Sequence, residues 1–114
     1  QLDFVVDNTM ATDILHMVAS QNPATTGTNF MISYDLPGSE CDFIVEVFDF
    51  SGRRIWMHGE NASEPNGVYS VAWNLTNGAG SKVGSGIYLY RCSVRCGDSK
   101  WTTKAQKIVV LNNK

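Results

Sequence analysis

The strongest constraint on the fold is an alternation with a period of two residues on either side of a Gly-rich loop. The alternating segments are Val68–Trp73 and Ile87–Val94, and the loop is Asn74–Ser85. One parity of both segments is aromatic or apolar: Tyr69, Val71 and Trp73, followed by Tyr88, Tyr90, Cys92 and Val94. Successive side chains of a strand point to opposite faces, so each segment predicts a strand with one buried face. Two such faces can be buried only against another sheet, which predicts a sandwich.

Further strands are predicted between turn signals along the rest of the chain. They are Ile14–Ala19, Thr28–Leu36, Phe43–Phe48, Arg53–Gly59 and a final strand at Trp101–Leu111, and Leu2–Val6 is either an edge strand or the end of a linker. Ser51–Gly52 predicts a hairpin turn, Glu60–Gly67 an exposed loop and Arg95–Ser99 a turn. The pattern predicts an all-β, immunoglobulin-like antiparallel β-sandwich of seven or eight strands. Residues 1–13 are assigned to a linker or edge strand and 14–114 to the sandwich.

Length and charge exclude several classes of protein. A chain of 114 residues with 43% hydrophobic residues suits one folded core and is not disordered. No apolar run approaches the ~20 residues of a transmembrane helix, and a net charge of -2 argues against nucleic acid as partner. Residues 1–90 carry 3 Lys or Arg against 10 Asp or Glu, whereas residues 91–114 carry 6 against 1. Either the two sheets have different solvated faces, or a basic C-terminal patch binds an acidic or anionic partner.

The three cysteines do not determine the redox compartment. A Cys41–Cys92 or a Cys41–Cys96 disulfide is compatible with the predicted strands, but we expect all three to be unpaired and Cys92 to lie in the core. There is no C-x-x-C spacing, and both histidines are far from any cysteine in sequence. We therefore expect no zinc site.

The residues do not form a recognisable catalytic or metal-binding pattern. Each of the histidines is isolated, His16 in an apolar strand and His58 beside a loop, and no nucleophile motif accompanies them. The loop Asn74–Gly86 has no carboxylate, so we expect a compact connection and no calcium ion. The domain is predicted to be non-catalytic and to need no cofactor.

Two sets of apolar residues allow two interpretations each. Trp56 and Trp101 either pack against the sandwich or form an exposed platform on which sugars stack. Ile108–Leu111 is apolar on both parities, which is explained by a core strand or by an edge that pairs with a partner.

The segment from Trp73 to Cys92, WNLTNGAGSKVGSGIYLYRC, resembles the W-D-G-x-D-x-x-G-x-x-V-x-x-G-x-Y-x-Y-R-L signature of FlgD-like immunoglobulin domains. Val45–Arg53 resembles the V-x-V-Y-D-x-x-G-R hairpin of these domains, and Ala105–Leu111 resembles their closing strand. The positions taken as the structural signature are Tyr69, Trp73, Gly80, Gly86, Tyr88 and Tyr90. Such domains are the C-terminal domains of proteins exported by the bacterial type IX secretion system, and the R-C-S-V-R-C-G-D…A-Q-K-I-V-V-L ending is most similar to that of PorU-type sortases.

This resemblance implies a function in protein transport. The domain would act as an export signal at the outer membrane, as an anchor at the cell surface of a Gram-negative bacterium, or as both, behind a gingipain-like cysteine peptidase. An outer-membrane translocon or shuttle protein similar to PorV would recognise and bind the domain. The expected receptor contacts are Lys104, Lys107, Ile108, Val109, Val110 and Leu111. A strand-swapped homodimer is a further expectation for a domain with exposed edges.

Two other functions remain as alternatives. One is a carbohydrate-binding or adhesion sandwich attached to a secreted enzyme, which predicts Trp56 and Trp101 exposed side by side. The other is a structural spacer of the flagellar hook-cap type that binds no ligand.

Overall fold

The computed structural model describes residues 14–36, 40–62, 64 and 66–111. Eight strands lie in these residues: β1 (Leu15–Ala19), β2 (Thr28–Asp35), β3 (Cys41–Asp49), β4 (Arg54–Ala62), β5 (Asn66–Trp73), β6 (Gly86–Cys96), β7 (Ser99–Thr102) and β8 (Gln106–Val110). The predicted strand at Leu2–Val6 and the residues up to Asp13 fall outside the described part of the chain.

The strands form two antiparallel sheets packed face to face. The smaller sheet has the order β1-β2-β5. The larger has the order β4-β3-β6, and both β7 and β8 pair with the far side of β6, one after the other. The predicted all-β antiparallel sandwich is therefore confirmed. Within the described residues, no helix has the length and apolar character needed to cross a membrane.

The core is built from the inward-facing side chains of both sheets, which belong to alternate residues of each strand, as the sequence pattern predicted. Phe30 of β2 lies at its centre, with its ring centroid 4.9 Å from that of Tyr90 on β6. Trp73 of β5 stacks 6.0 Å from Phe30 on the other side. Each large apolar side chain removed from water contributes about 1.5–3 kcal/mol to folding. The contact between Phe30 and Tyr90 crosses from the smaller to the larger sheet and holds the two layers together, whereas Phe30 and Trp73 lie on neighbouring strands of the smaller sheet.

The predicted boundaries are wrong at three places. The exposed loop at Glu60–Gly67 is shorter than predicted, because β4 continues to Ala62 and β5 begins at Asn66. The turn at Arg95–Ser99 reduces to two residues, of which Gly97 has a φ of 63° that favours glycine. The single final strand is divided into β7 and β8.

The Gly-rich loop is compact, which confirms the structural interpretation of its Asn and Gly residues. The side chain of Asn77 accepts hydrogen bonds from the backbone N–H groups of Ala79 and Ser81, at 3.0 Å each. Gly80 between them has a φ of 89°. The indole of Trp73 donates a 2.8 Å hydrogen bond to the carbonyl of Thr76, which ties the loop to the core.

The cysteine expectation requires a correction. Cys41 and Cys96 lie directly opposite each other on β3 and β6 and form a disulfide. Cys92 is buried and free, as expected, and burial is the largest cause that raises the pKa of its thiol to about 12. The pairing depends on the register of β3 against β6, which the spacing in sequence does not reveal.

The outer edge of β8 is covered by the segment Asn22–Ala24. The Ala24 backbone accepts from Leu111 N at 2.9 Å and donates to Val109 O at 2.8 Å. The Asn22 side chain donates to Lys107 O at 3.0 Å and accepts from Val109 N at 2.9 Å. We call Asn22–Ala24 the edge strap. It satisfies backbone groups that would otherwise be open to an added strand.

Candidate functional site: a basic face on the larger sheet

Five cationic side chains lie on the outer face of the larger sheet, which we call the basic face: Arg54, Arg91, Arg95, Lys100 and Lys107. On β6, Arg91 and Arg95 alternate with the inward Tyr90, Cys92 and Val94. The cross-strand register brings Lys100 of β7 opposite Arg95. Among the described strand residues, the outer face of the smaller sheet carries a single charged Asp, Glu, Lys or Arg side chain, Asp35. Four of the Lys and Arg residues after position 90 therefore lie on one face of the sandwich, which also carries Asp42 and Glu46.

Glu46 lies at the centre of the basic face and is only 8% exposed. Its carboxylate accepts hydrogen bonds from Arg91 Nε at 2.9 Å and from Arg54 Nη1 at 3.1 Å. Burial acts to raise the pKa of Glu46, but these two hydrogen bonds and the two positive charges outweigh it, and the pKa lies below its ordinary value. The charged triad fixes both guanidinium groups on the face.

Apolar side chains surround this triad. The guanidinium of Arg91 lies 5.0 Å from the centre of the Phe48 ring, and Lys107 Nζ lies 5.9 Å from that of Phe50. Ile44 and Met57 on the same face are each exposed by more than a third. Arginine and aromatic or methionine side chains are enriched in protein interfaces. The composition of the basic face is thus suited to contact with another molecule.

A pocket of about 340 Å³ opens on the basic face next to the triad. Its charged lining is Asp42, Glu46, Arg91, Arg95 and Lys100, and its neutral lining is Ile44, Ser93 and Val94. Three cations therefore outnumber two carboxylates in a recess that also has apolar walls.

The predicted receptor residues are divided between the core and the surface. Ile108 and Val110 are 0% exposed and pack in the core, so the core-strand interpretation holds for them and their side chains are not available to a partner. Val109 is half-buried, Leu111 is 44% exposed, and Lys104 and Lys107 are exposed. The edge strap also covers the backbone of β8 on the side where a partner strand would pair. The role of the exposed residues as receptor contacts stays a prediction.

The signature residues lie where the alternation predicted. Trp73 and Tyr90 are buried, and Tyr69 and Tyr88 are half-buried against the core. Gly80 is in the loop and Gly86 is the first residue of β6. The four aromatic residues therefore build the sandwich, whereas Gly80 and Gly86 are exposed.

Of the two interpretations of Trp56 and Trp101, the structure supports packing against the sandwich. The two tryptophans lie on β4 and β7, at opposite edges of the larger sheet, and both are half-buried against the core. The Trp56 ring stacks 6.2 Å from the ring of His58, and His58 Nε2 donates a 2.9 Å hydrogen bond to the carboxylate of Glu60. No observation therefore favours the sugar-stacking alternative at these two positions.

The remaining polar side chains do not assemble into a metal site. Within the described ranges, no group of three or more His, Cys, Asp or Glu could hold a metal ion.

The remaining polar side chains include Tyr69 and His16. Burial, followed by a hydrogen bond to Glu60, raises the pKa of Tyr69 to about 12. His16 lies exposed on the outer face of the smaller sheet. The absence of catalysis stays a prediction.

Solved structures of other proteins are similar in fold to this chain. A segment of PorU from Porphyromonas gingivalis, crystallised as a latent dimer, is 30% identical over 87% of this chain, with a TM-score of 0.78. PorU and PorZ are components of the type IX secretion system. The chain has a β domain of the kind found in these proteins. It spans 9% of the PorU chain and therefore corresponds to a small part of that protein.

Two other similar structures show the fold alone. PorZ of Porphyromonas gingivalis, a surface component of the type IX system, is 21% identical over 83% of this chain and 11% of its own, with a TM-score of 0.50. FlgD of Xanthomonas campestris, which caps the flagellar hook, is 19% identical over 94% of this chain and 74% of its own, with a TM-score of 0.56. No protein-family model and no curated protein matches the sequence.

Proposed function

We propose that the chain is a non-catalytic recognition domain of a protein handled by the type IX secretion system. It acts as an export signal at the outer membrane, as a surface anchor, or as both, by binding an outer-membrane receptor. The parent protein is then exported to the surface of a Gram-negative bacterium. The single observation that carries the proposal is the similarity to PorU, with 30% identity and a TM-score of 0.78 over 87% of the chain.

Two features of the structure support this proposal. Disulfides persist in oxidising compartments such as the periplasm and the cell surface, and Cys41–Cys96 is one. The basic face offers exposed cations and apolar side chains on rigid strands, which suits a complementary acidic protein surface. Lys107 belongs to the basic face, and the exposed Lys104 lies three residues before it, so the binding site we propose includes the basic face and Lys104.

The test is surface display of a reporter fused in front of this chain, in a bacterium that has a type IX secretion system. A Lys104→Glu/Lys107→Glu variant reverses two exposed charges and leaves the core residues of β8 in place. Like charges facing each other across an interface cost several kcal/mol, and each 1.4 kcal/mol is tenfold in affinity. We expect surface-exposed reporter to fall at least about tenfold.

The matched control is Arg53→Glu/Lys82→Glu, which makes the same charge change at exposed positions outside the basic face. We expect its display to equal that of the unchanged fusion. Urea denaturation of both purified variants shows that each is folded. A reporter that reaches the surface equally well with and without the chain would refute the proposed function.

A further inference from the structure

The pocket on the basic face contains cations that the fold does not use. Arg91 is held by Glu46, with 2.9 Å between Nε and Oε1. By contrast, the side chains of Arg95 and Lys100 make no hydrogen bond and no ion pair with any described residue. Both belong to the pocket lining, and they lie opposite each other on neighbouring strands. Two adjacent like charges repel each other, so an anion between them would relieve a cost that the free domain carries.

A hydroxyl group and a rigid frame complete the cationic side of the pocket. Ser93 lies two residues before Arg95 on the same face, and its hydroxyl shares a 3.1 Å hydrogen bond with that of Thr102. The Cys41–Cys96 disulfide joins β3 and β6 next to Arg95. The strands from which Arg95 and Lys100 extend are therefore fixed relative to each other, which limits the positions that the two cations can take.

The wall formed by β3 has a different chemistry: it carries Glu46, whose charge is paired with Arg54 and Arg91, and Asp42, which lies beside Arg95 in the strand register. Asp42 is held by Asn61, with 2.5 Å between its Oδ1 and Nδ2 of Asn61, and Ile44 next to it is 38% exposed. A carboxylate repels an anion but accepts a hydrogen bond from a hydroxyl group. A ligand with an anionic end and a hydroxylated carbon body would meet a complementary group at each wall.

We infer that the pocket binds a phosphate monoester of a small hydroxylated molecule, with the phosphate between Arg95 and Lys100. An arginine fork, a lysine and a hydroxyl group form a donor set that suits phosphate oxygens. A volume of about 340 Å³ equals roughly ten water molecules at about 30 Å³ each. That is more than a bare phosphate needs and leaves room for its organic group. The pocket lies within the proposed docking surface, so the inference deepens the proposed function and rests on it for its biological setting.

The test is a titration of the isotope-labelled chain with glucose 6-phosphate at low ionic strength, followed by amide chemical shifts. We expect saturable shifts centred on Ser93, Arg95 and Lys100, with a dissociation constant of about 1 mM or below, equivalent to about 4 kcal/mol. Arg95→Gln and Lys100→Gln should each weaken binding about tenfold, and Arg53→Gln, outside the pocket, should not. Inorganic phosphate should bind the same residues more weakly.

Two arms separate the sources of the ester. Sedimentation with vesicles that contain phosphatidic acid, lost in Arg95→Gln, would identify a lipid headgroup, and binding of glucose 6-phosphate without such sedimentation would identify a soluble ester. The inference is overturned if no saturable shift occurs, if glucose alone produces the same shifts, or if the shifts persist in Arg95→Gln. Reporter display that still depends on Lys104 and Lys107 in that case would leave the proposed function standing.

Discussion

Glu46 is a carboxylate that faces outward from a sheet and is nevertheless almost fully covered. Its two arginine partners come from the neighbouring strands β4 and β6, so a single residue links three strands. The side chains of Arg54 and Arg91 are about half exposed, at 50% and 42%, so the triad is a semi-buried ion pair network. Its contribution to stability therefore comes from two charge-assisted hydrogen bonds at a partly exposed position.

Glu46→Gln should lower the free energy of unfolding at pH 7 by about 1–2 kcal/mol, because two charge-assisted hydrogen bonds are weakened. The pKa of Glu46 is lower in the folded chain than its ordinary value of 4.5. Stabilisation is thus present above that value and is lost as pH falls through the folded pKa. We expect the original protein to lose more stability than the variant between pH 6 and pH 3, measured by urea denaturation.

The control is Glu40→Gln, at an exposed carboxylate that bonds no described residue. Its stability should follow that of the unchanged chain at every pH. Equal pH dependence in Glu46→Gln and the unchanged chain would show that the triad does not stabilise the fold.

Sequence reasoning predicted the inward residues well and the outward site poorly. Tyr69, Trp73 and Tyr90 were identified because an apolar parity in a strand has one physical explanation, burial. Glu46 and Arg91 occupy the other parity, where any polar residue is acceptable, so nothing in the sequence distinguishes them from ordinary surface residues. The signal that could have found the site was the excess of Lys and Arg after residue 90 combined with the alternation of β6.

Strand β8 is held on both of its edges. Its inner side chains are in the core, one edge pairs with β6, and the other edge is covered by the edge strap. The strap makes four hydrogen bonds to it, two through the backbone of Ala24 and two through the side chain of Asn22. Both edges of β8 are therefore hydrogen-bonded, although β6 is the only described strand that pairs with it.

Asn22→Ala should remove both side-chain bonds to β8 and lower the free energy of unfolding by about 1–2 kcal/mol. The Val109 amide would lose its acceptor, so its hydrogen exchange should accelerate by about tenfold or more. Gln21→Ala is the control, since the Gln21 side chain makes no bond to a described residue. Unchanged exchange at Val109 in Asn22→Ala would contradict the role we assign to the strap.

Strand existence was predictable, and strand limits were not. Ile14–Ala19 and Thr28–Leu36 were predicted within one residue, because their alternation is continuous. The end of β4 carries Glu60 and Asn61, which resemble loop residues, yet cross-strand pairing with β3 keeps them extended. The division between β7 and β8 comes from Thr103, whose hydroxyl accepts a 3.0 Å hydrogen bond from Cys92 N, a contact that no local pattern encodes.

For the whole molecule, the disulfide is the cross-link between distant parts of the chain. It closes a loop with a sequence separation of 55 residues, from the start of β3 to the end of β6. Loss of such a disulfide increases the conformational entropy of the unfolded chain and thereby lowers the free energy of unfolding. The link also holds together the two central strands of the larger sheet, on which the basic face depends.

Reduction of the Cys41–Cys96 disulfide should lower the free energy of unfolding by about 2–4 kcal/mol. Urea denaturation with and without dithiothreitol measures this loss. A Cys41→Ala/Cys96→Ala variant should be less stable and should not respond to the reductant, whereas Cys92 remains free in both proteins. Equal stability of the original protein in both states, after thiol titration has shown complete reduction, would contradict this prediction.

The position of β8 also has a consequence for the order of folding. Ribosomes deliver a chain from its amino end, and Ile108 and Val110 are among the last described residues to emerge. Until they do, the core lacks two side chains, and the carbonyl and amide groups of Ala24 have no strand to bond. A nascent or trimmed chain that stops short of residue 110 cannot complete this structure. A receptor that recognises only the completed sandwich would consequently discriminate against unfinished products.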